Sequence, residues 1–233
     1  MKYLKRIITD LLFPAQCIAC SGKRYNDHVL HLCMFCFDEL PFTYHFELRN
    51  NLFEQRFWGR LPLCSGASLL FFQKDALVQN LIYRLKYDSG KELARFLGRL
   101  LGTSLAKSEA FETVNYLVPV PLHRKKKRKR GYNQTALICL GVQESWDNKP
   151  IFNGLKRLKN TGTQTKMGRL ARLKNLEGAM VSEKQVLVEC PHFLIIDDVM
   201  TTGTTLEICA LALLEVYPKA KISVATLAFA DLW

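Results

Sequence analysis

At 233 residues the chain is long enough for one substantial core with a smaller module beside it. Apolar residues make up 48% and charged residues 23%, which excludes a disordered or fibrous chain, while 33 Lys and Arg against 21 Asp and Glu leave a net charge of +12 that attracts anions of any kind. No stretch approaches the run of about 18 apolar residues that spans a bilayer; even Ile208 to Val216 is interrupted by Glu215, so no transmembrane segment is expected and a cytoplasmic protein is.

At the N-terminus, Leu4, Ile7, Ile8, Leu11 and Leu12 fall at the spacing of one helix face, which predicts a short docking helix over Met1 to Phe13 that ends near Pro14, not a signal peptide. Next come two knuckles, Cys17-x-x-Cys20 and Cys33-x-x-Cys36. Two residues between cysteines let both thiolates turn onto one metal, and two such turns close a tetrahedral sulfur shell, so a structural Zn2+ is favoured over two disulfides or four unrelated thiols. A region this small gains folding energy from its metal. Cys139 and Cys209 lie inside apolar helical patterns and are expected in the core. The expected division is residues 1–66 as docking helix and four-cysteine zinc-binding module, and residues 67–233 as a larger domain.

From Ala76 to Leu105 the apolar spacing predicts two helices broken around Asp88 to Gly90. A strand over Asn115 to Val120, a basic loop, a helix from Gln134 to Gln143, a strand near Ile151 to Leu158, a strand over Phe193 to Ile196, a helix from Thr204 to Val216 and a strand over Ile222 to Leu227 follow. Such alternation indicates an α/β fold with a parallel sheet flanked by helices.

The segment FLIIDDVMTTGTTLEICALALLEVYP carries the chemistry: an apolar strand, two acids, a loop of small residues, then a helix. A loop that opens a helix beyond a parallel strand aims backbone N–H groups and the positive end of the helix dipole outward, so Thr201 to Thr205 suits a phosphate. The absence of GxxxxGK[ST] and GxGxxG argues against a nucleoside triphosphatase and a dinucleotide site. Asp197 and Asp198 would repel a bare anion, but ionised carboxylates accept hydrogen bonds from a ribose diol.

This segment resembles the phosphoribosyl pyrophosphate motif of type I phosphoribosyltransferases. The resemblance implies that Asp197 and Asp198 hold the ribose hydroxyls, that Thr201, Thr202, Gly203, Thr204 and Thr205 wrap the 5-phosphate, and that Val199 and Met200 between them belong to the same ligand-binding stretch. Together with LVPVPLHRKKKRKRGYNQT, TQTKMGRLARLKNLEGAM and the cysteine knuckles, it makes nearly the whole chain similar to the competence protein F family, which joins a zinc-binding N-terminus to a phosphoribosyltransferase fold and is linked to bacterial DNA uptake. The third cysteine pair of many members appears here only as Cys64.

By order in that fold, His123 to Gln134 falls on the pyrophosphate loop, with Arg130, Gly131, Tyr132, Asn133 and Gln134 at the ligand. Thr161 to Asn175 falls on a mobile closing loop that brings Gln164, Lys166, Arg169 and Arg172, the last with Asp197 and Asp198 as catalytic groups. Two functions follow. One is an enzyme that transfers a phosphoribosyl group from phosphoribosyl pyrophosphate with Mg2+ to an acceptor the sequence does not name. The other is a non-catalytic competence protein that holds single-stranded DNA on the consecutive basic residues Arg124 to Arg130, with Tyr132 beside them to stack on a base. A solvated basic loop is the plain alternative for that run. Protein partners of DNA uptake are a further expectation of the family.

Overall fold

Four apolar residues in succession, Phe193 to Ile196, suit a strand buried on both faces, and they lie inside the sheet. In the computed structural model residues 16–22, 32–72, 77–87, 90–158, 180–184 and 186–230 are described. The expected docking helix over Met1 to Phe13 and the expected closing loop Thr161 to Asn175 lie outside them.

In chain order the helices are α1 (Met34–Asp38), α2 (Leu52–Gln55), α3 (Leu77–Arg84), α4 (Gly90–Ala106), α5 (Arg124–Arg130), α6 (Gln134–Ser145) and α7 (Thr204–Val216). The strands are β1 (Ser65–Phe71), β2 (Tyr116–Pro119), β3 (Leu155–Arg157), β4 (Met180–Ser182), β5 (His192–Met200) and β6 (Lys221–Phe229). β1, β6, β5 and β2 form a parallel sheet in that order, while β3 and β4 make a separate antiparallel pair. The α/β class with a parallel sheet flanked by helices is therefore as the sequence predicts.

Alternate side chains of a strand serve opposite faces. Leu194 and Ile196 of β5, with Ala225 and Leu227 of β6, pack with Leu97, Leu101, Ile138 and Val142 of α4 and α6. Phe193 and Ile195, with Ile222 and Val224, pack with Leu206, Cys209 and Leu213 of α7. Each fully buried Leu, Ile, Val or Phe among them contributes about 2 kcal/mol relative to exposure. Cys139 and Cys209 lie one in each layer, fully buried as expected. Helices α4 and α6 touch backbone to backbone: a Cβ on Gly141 would fall 2.1 Å from the Arg95 carbonyl oxygen, so only glycine permits this approach.

Both sheet edges are covered. Outside β1, the Thr43 N–H donates to the Leu69 carbonyl at 3.0 Å and the Phe71 N–H to the Pro41 carbonyl at 2.9 Å. Outside β2, the Leu117 N–H donates to the Pro150 carbonyl at 2.9 Å and the Phe152 N–H to the Leu117 carbonyl at 2.8 Å.

Three expectations need correction. The basic segment is a helix, α5, because Lys and Arg are good helix formers, His123 Nδ1 caps it by accepting the Lys125 N–H at 3.2 Å, and Gly131 ends it at φ 79°. The strand expected to stop at Ile196 runs on to Met200, since Val199 and Met200 continue the pairing with Ala228 and Phe229. The strand expected near Ile151 to Leu158 is regular only over Leu155–Arg157, with Ile151 bridging to Leu117. β1 was not expected: its mixed small and apolar residues, SGASLLF, are buried on both faces and show no alternation.

Candidate functional site

The sulfurs of Cys17, Cys20, Cys33 and Cys36 lie within 4.8 Å of one another, with Cys20 and Cys33 at 3.8 Å. A zinc tetrahedron with Zn–S bonds of about 2.3 Å has S–S edges of about 3.8 Å, so the donor set fits such a metal. Burial works to raise the Cys17 thiol, but backbone hydrogen bonds from Cys20, Cys33 and Ala19 outweigh it and bring the thiol down to about 6. Burial and the neighbouring sulfurs push Cys36 up. Four sulfurs this close cannot all shed protons without a cation between them. A structural metal such as zinc is what the cluster suggests. Cys17, Cys36, Leu32 and Leu40 belong to the same core layer as α4 and α6, so the cluster is built onto the main sheet.

At the other end of the molecule's chemistry, β5 carries Asp197, Asp198 and Val199 half-buried at its carboxyl end. The Asp198 N–H donates to Asp197 Oδ1 at 2.9 Å and the Val199 N–H to Asp198 Oδ1 at 2.8 Å. Burial first, and the Asp198 charge second, hold the Asp197 carboxyl well above the usual carboxylate range; Arg157 of β3 opposes this. Met200 is buried, Thr201 and Thr202 turn the chain, and α7 begins at Thr204. Gly203 precedes it at φ 74°, where a side chain would be strained and would also meet the Phe57 ring at 2.9 Å. Glycine at this cap supplies no side-chain acceptor to the first turn of α7, which leaves the dipole end for another acceptor. The Thr202 and Thr204 hydroxyls are 3.0 Å apart.

The second motif meets the first. Asn133 Nδ2 and Thr135 Oγ1 both donate to the Val120 carbonyl, at 3.1 and 2.6 Å, which pins the start of α6 beyond β2. From there Gln134 Nε2 donates to Asp198 Oδ2 at 3.0 Å, and Arg130 Nη1 donates to Gln134 Oε1 at 3.0 Å. Tyr132 turns inward, its hydroxyl donating to the carbonyls of Leu85, at 2.8 Å, and Tyr87. Gln164, Lys166, Arg169 and Arg172 lie outside the described residues.

Sequence reasoning missed three supports. Arg60 donates through Nη1 to the Thr202 carbonyl at 2.9 Å and pairs with the buried Glu207 of α7, with Nε at 3.1 Å from Oε2. Phe57 packs on Gly203. The Arg157 charge of β3 favours ionisation of Asp197 and disfavours the charged forms of His123 and Lys126. Each is remote in sequence from what it acts on, so no local pattern announces it.

Comparison with known proteins gives the family. The chain is 35% identical over 215 residues, 91% of its length and 82% of the relative's, to competence protein ComFC of Bacillus subtilis. The chain belongs to the competence protein F family. Two other members are DNA utilization protein YhgH of Escherichia coli, 31% identical over 197 residues (81% of this chain and 79% of that one), and competence protein F of Haemophilus influenzae, 28% identical over 195 residues (80% of each). No protein-family model matches the chain. Among the described residues, no helix of this competence protein F family member is long and apolar enough to cross a membrane.

Proposed function

We propose that this member of the competence family is a cytoplasmic protein that binds phosphoribosyl pyrophosphate at the carboxyl ends of β5 and β2 and transfers its phosphoribosyl group, in the service of DNA uptake. The observation that carries this reading is the relay Arg130–Gln134–Asp198, which brings the RGYNQ string and the acid pair to one place. Asp197 and Asp198 accept the ribose hydroxyls, and Thr201 to Thr205 donate backbone N–H groups and hydroxyls to the 5-phosphate. Arg130 to Gln134 border the pyrophosphate, and Gln164, Lys166, Arg169 and Arg172 close over it. Mg2+ bound with the ligand would neutralise charge on the departing pyrophosphate. The protein's own contribution is to orient the sugar and exclude water as positive charge develops at C1.

The four sulfurs are assigned to one structural Zn2+, residues 1–66 to the zinc-bearing module and residues 67–233 to the transferase-like domain. Calorimetry with phosphoribosyl pyrophosphate and Mg2+ tests the site: Asp198→Ala is expected to weaken binding at least tenfold while the chain stays folded. Unaltered binding by both Asp197→Ala and Asp198→Ala sinks the assignment.

A second reading is favoured by α5, whose seven consecutive basic residues stand mostly exposed in one helix. Here the same fold holds single-stranded DNA without turnover. Replacing Lys125, Lys126, Lys127 and Lys129 by Ser is expected to flatten the salt dependence of DNA affinity, by roughly one log-log unit for each phosphate that is no longer neutralised. Equal slopes would make α5 a solvated surface only.

A further inference from the structure

An exposed aromatic pair follows the apolar face of α3. Tyr83 is 58% and Tyr87 52% exposed; their ring centroids lie 4.9 Å apart at 50°, and the Tyr87 hydroxyl donates to that of Tyr83 at 2.8 Å. The pair is held from beneath. Besides the two bonds from the Tyr132 hydroxyl, the Gly90 N–H donates to the Tyr87 carbonyl at 2.7 Å. The backbone at Tyr87 is thus held in place and the rings are joined by their own hydroxyl bond before any ligand arrives, which lowers the ordering cost of binding.

The surroundings are cationic. Lys86 stands between Leu85 and Tyr87, whose carbonyls are both reached by the hydroxyl of Tyr132, two residues past the end of α5, so Lys86 borders the basic helix; the Lys126 ammonium is lowered by burial first and then by Arg157, Arg130 and Lys86. Basic residues from two parts of the chain, Lys86 and α5, therefore lie next to the segment that carries the rings. Their repulsion is relieved when an anion enters. Anchoring α3 would ask for neither exposed rings nor this charge; a ligand with both flat faces and phosphates asks for both. A duplex hides its base faces in its own stack, and an acidic peptide has no use for the rings.

We infer that Tyr83 and Tyr87 form a stacking subsite for unpaired bases of a single-stranded nucleic acid whose phosphates lie along Lys86, Lys126 and Arg130. The inference rests on the nucleic-acid reading of α5 and is independent of the ribose phosphate site.

Fluorescence anisotropy with a labelled oligothymidylate of about 15 nucleotides, a length within one binding footprint, tests it on the full zinc-loaded chain. Tyr83→Ala with Tyr87→Ala is expected to lower affinity roughly ten- to a hundredfold, with the salt slope unchanged because the phosphate contacts remain. Tyr83→Phe with Tyr87→Phe keeps the rings and should bind like wild type. An abasic strand of equal length should bind wild type only as well as thymidylate binds the alanine pair. The inference is overturned by equal thymidylate affinity in the alanine pair, by an abasic strand binding as tightly as thymidylate, by a phenylalanine pair as weak as the alanine pair, or by no binding to wild type. If the alanine pair does not fold, Tyr83→Leu with Tyr87→Leu carries the same comparison. Calorimetry with phosphoribosyl pyrophosphate on the same proteins reads the other site separately, so failure of one reading is distinguishable from failure of the other.

Discussion

Asp197 and Asp198 share one strand end, and the polar groups around them leave the first acid poorly compensated. Its carboxyl holds its proton well above the usual range because burial and then the Asp198 charge disfavour ionisation. A raised carboxyl contributes stability that is fully present below the ordinary aspartate value of about 3.9 and is lost as pH rises through the folded value. Asp197→Asn is therefore expected to melt higher than wild type at pH 7, with the difference closing toward pH 3, and to bind phosphoribosyl pyrophosphate roughly ten- to a hundredfold more weakly, since the amide offers the ribose hydroxyls one acceptor oxygen and cannot ionise as the carboxyl can when they bind. Thermal scans across pH and calorimetry check the two halves; an asparagine variant no more stable at pH 7 contradicts the first. Such a trade of stability for binding is typical of ligand sites. The acid pair and its loop were legible in the sequence because they run without interruption from Asp197 to Thr205, where residue order alone sets geometry. Arg157 was not, because it stands on β3, far before Asp197 in the chain, and no spacing ties its charge to the acid.

Among the elements, the segment after α2 supports the Thr201 to Thr205 loop from outside. Arg60 ties the Thr202 carbonyl to Glu207, with side chains only 9% and 6% exposed, while Phe57 closes against Gly203. Removing one member of a buried pair leaves the other charge uncompensated, at a cost of about 3 to 5 kcal/mol. Arg60→Met is expected to lower stability by about that amount, and Arg60→Met with Glu207→Leu to recover much of it, because apolar replacement of a whole pair is tolerated. Ligand affinity should stay low in both, since Thr202 loses its tether in both. Urea titrations and calorimetry measure the two effects; full recovery of affinity in the double variant would show that the clamp serves packing only. Helices α3, α4, α6 and α7 were readable from 3.6-residue periodicity or from an apolar run closed by a turn. β1 was not, because burial on both faces erases alternation, and α5 was not, because a run of like charges masks the helix propensity of the side chains that carry it.

Across the whole molecule, the four-sulfur cluster and the sheet share a core layer, and the chain between them lies along the open side of β1. Pro41 to Thr43 hold that side only a few residues beyond Cys36 and α1. Chelating the metal is expected to free α1 first, since so short a helix does not persist alone, and the Pro41 to Thr43 segment with it. What is then exposed is a parallel strand with unpaired N–H and C=O groups and the apolar run Leu69, Leu70 and Phe71. A surface of that kind recruits its like. Metal starvation should consequently turn a loss of local order into self-association: after chelation, light scattering should rise with protein concentration before the sheet itself melts, and Phe71→Lys, which places a charge at the half-buried end of the bared strand, should suppress it. A chelated chain that stays monodisperse would mean that Pro41 to Thr43 hold their place unaided. For this protein the metal would then act as a guard against aggregation as much as a staple of its own small module.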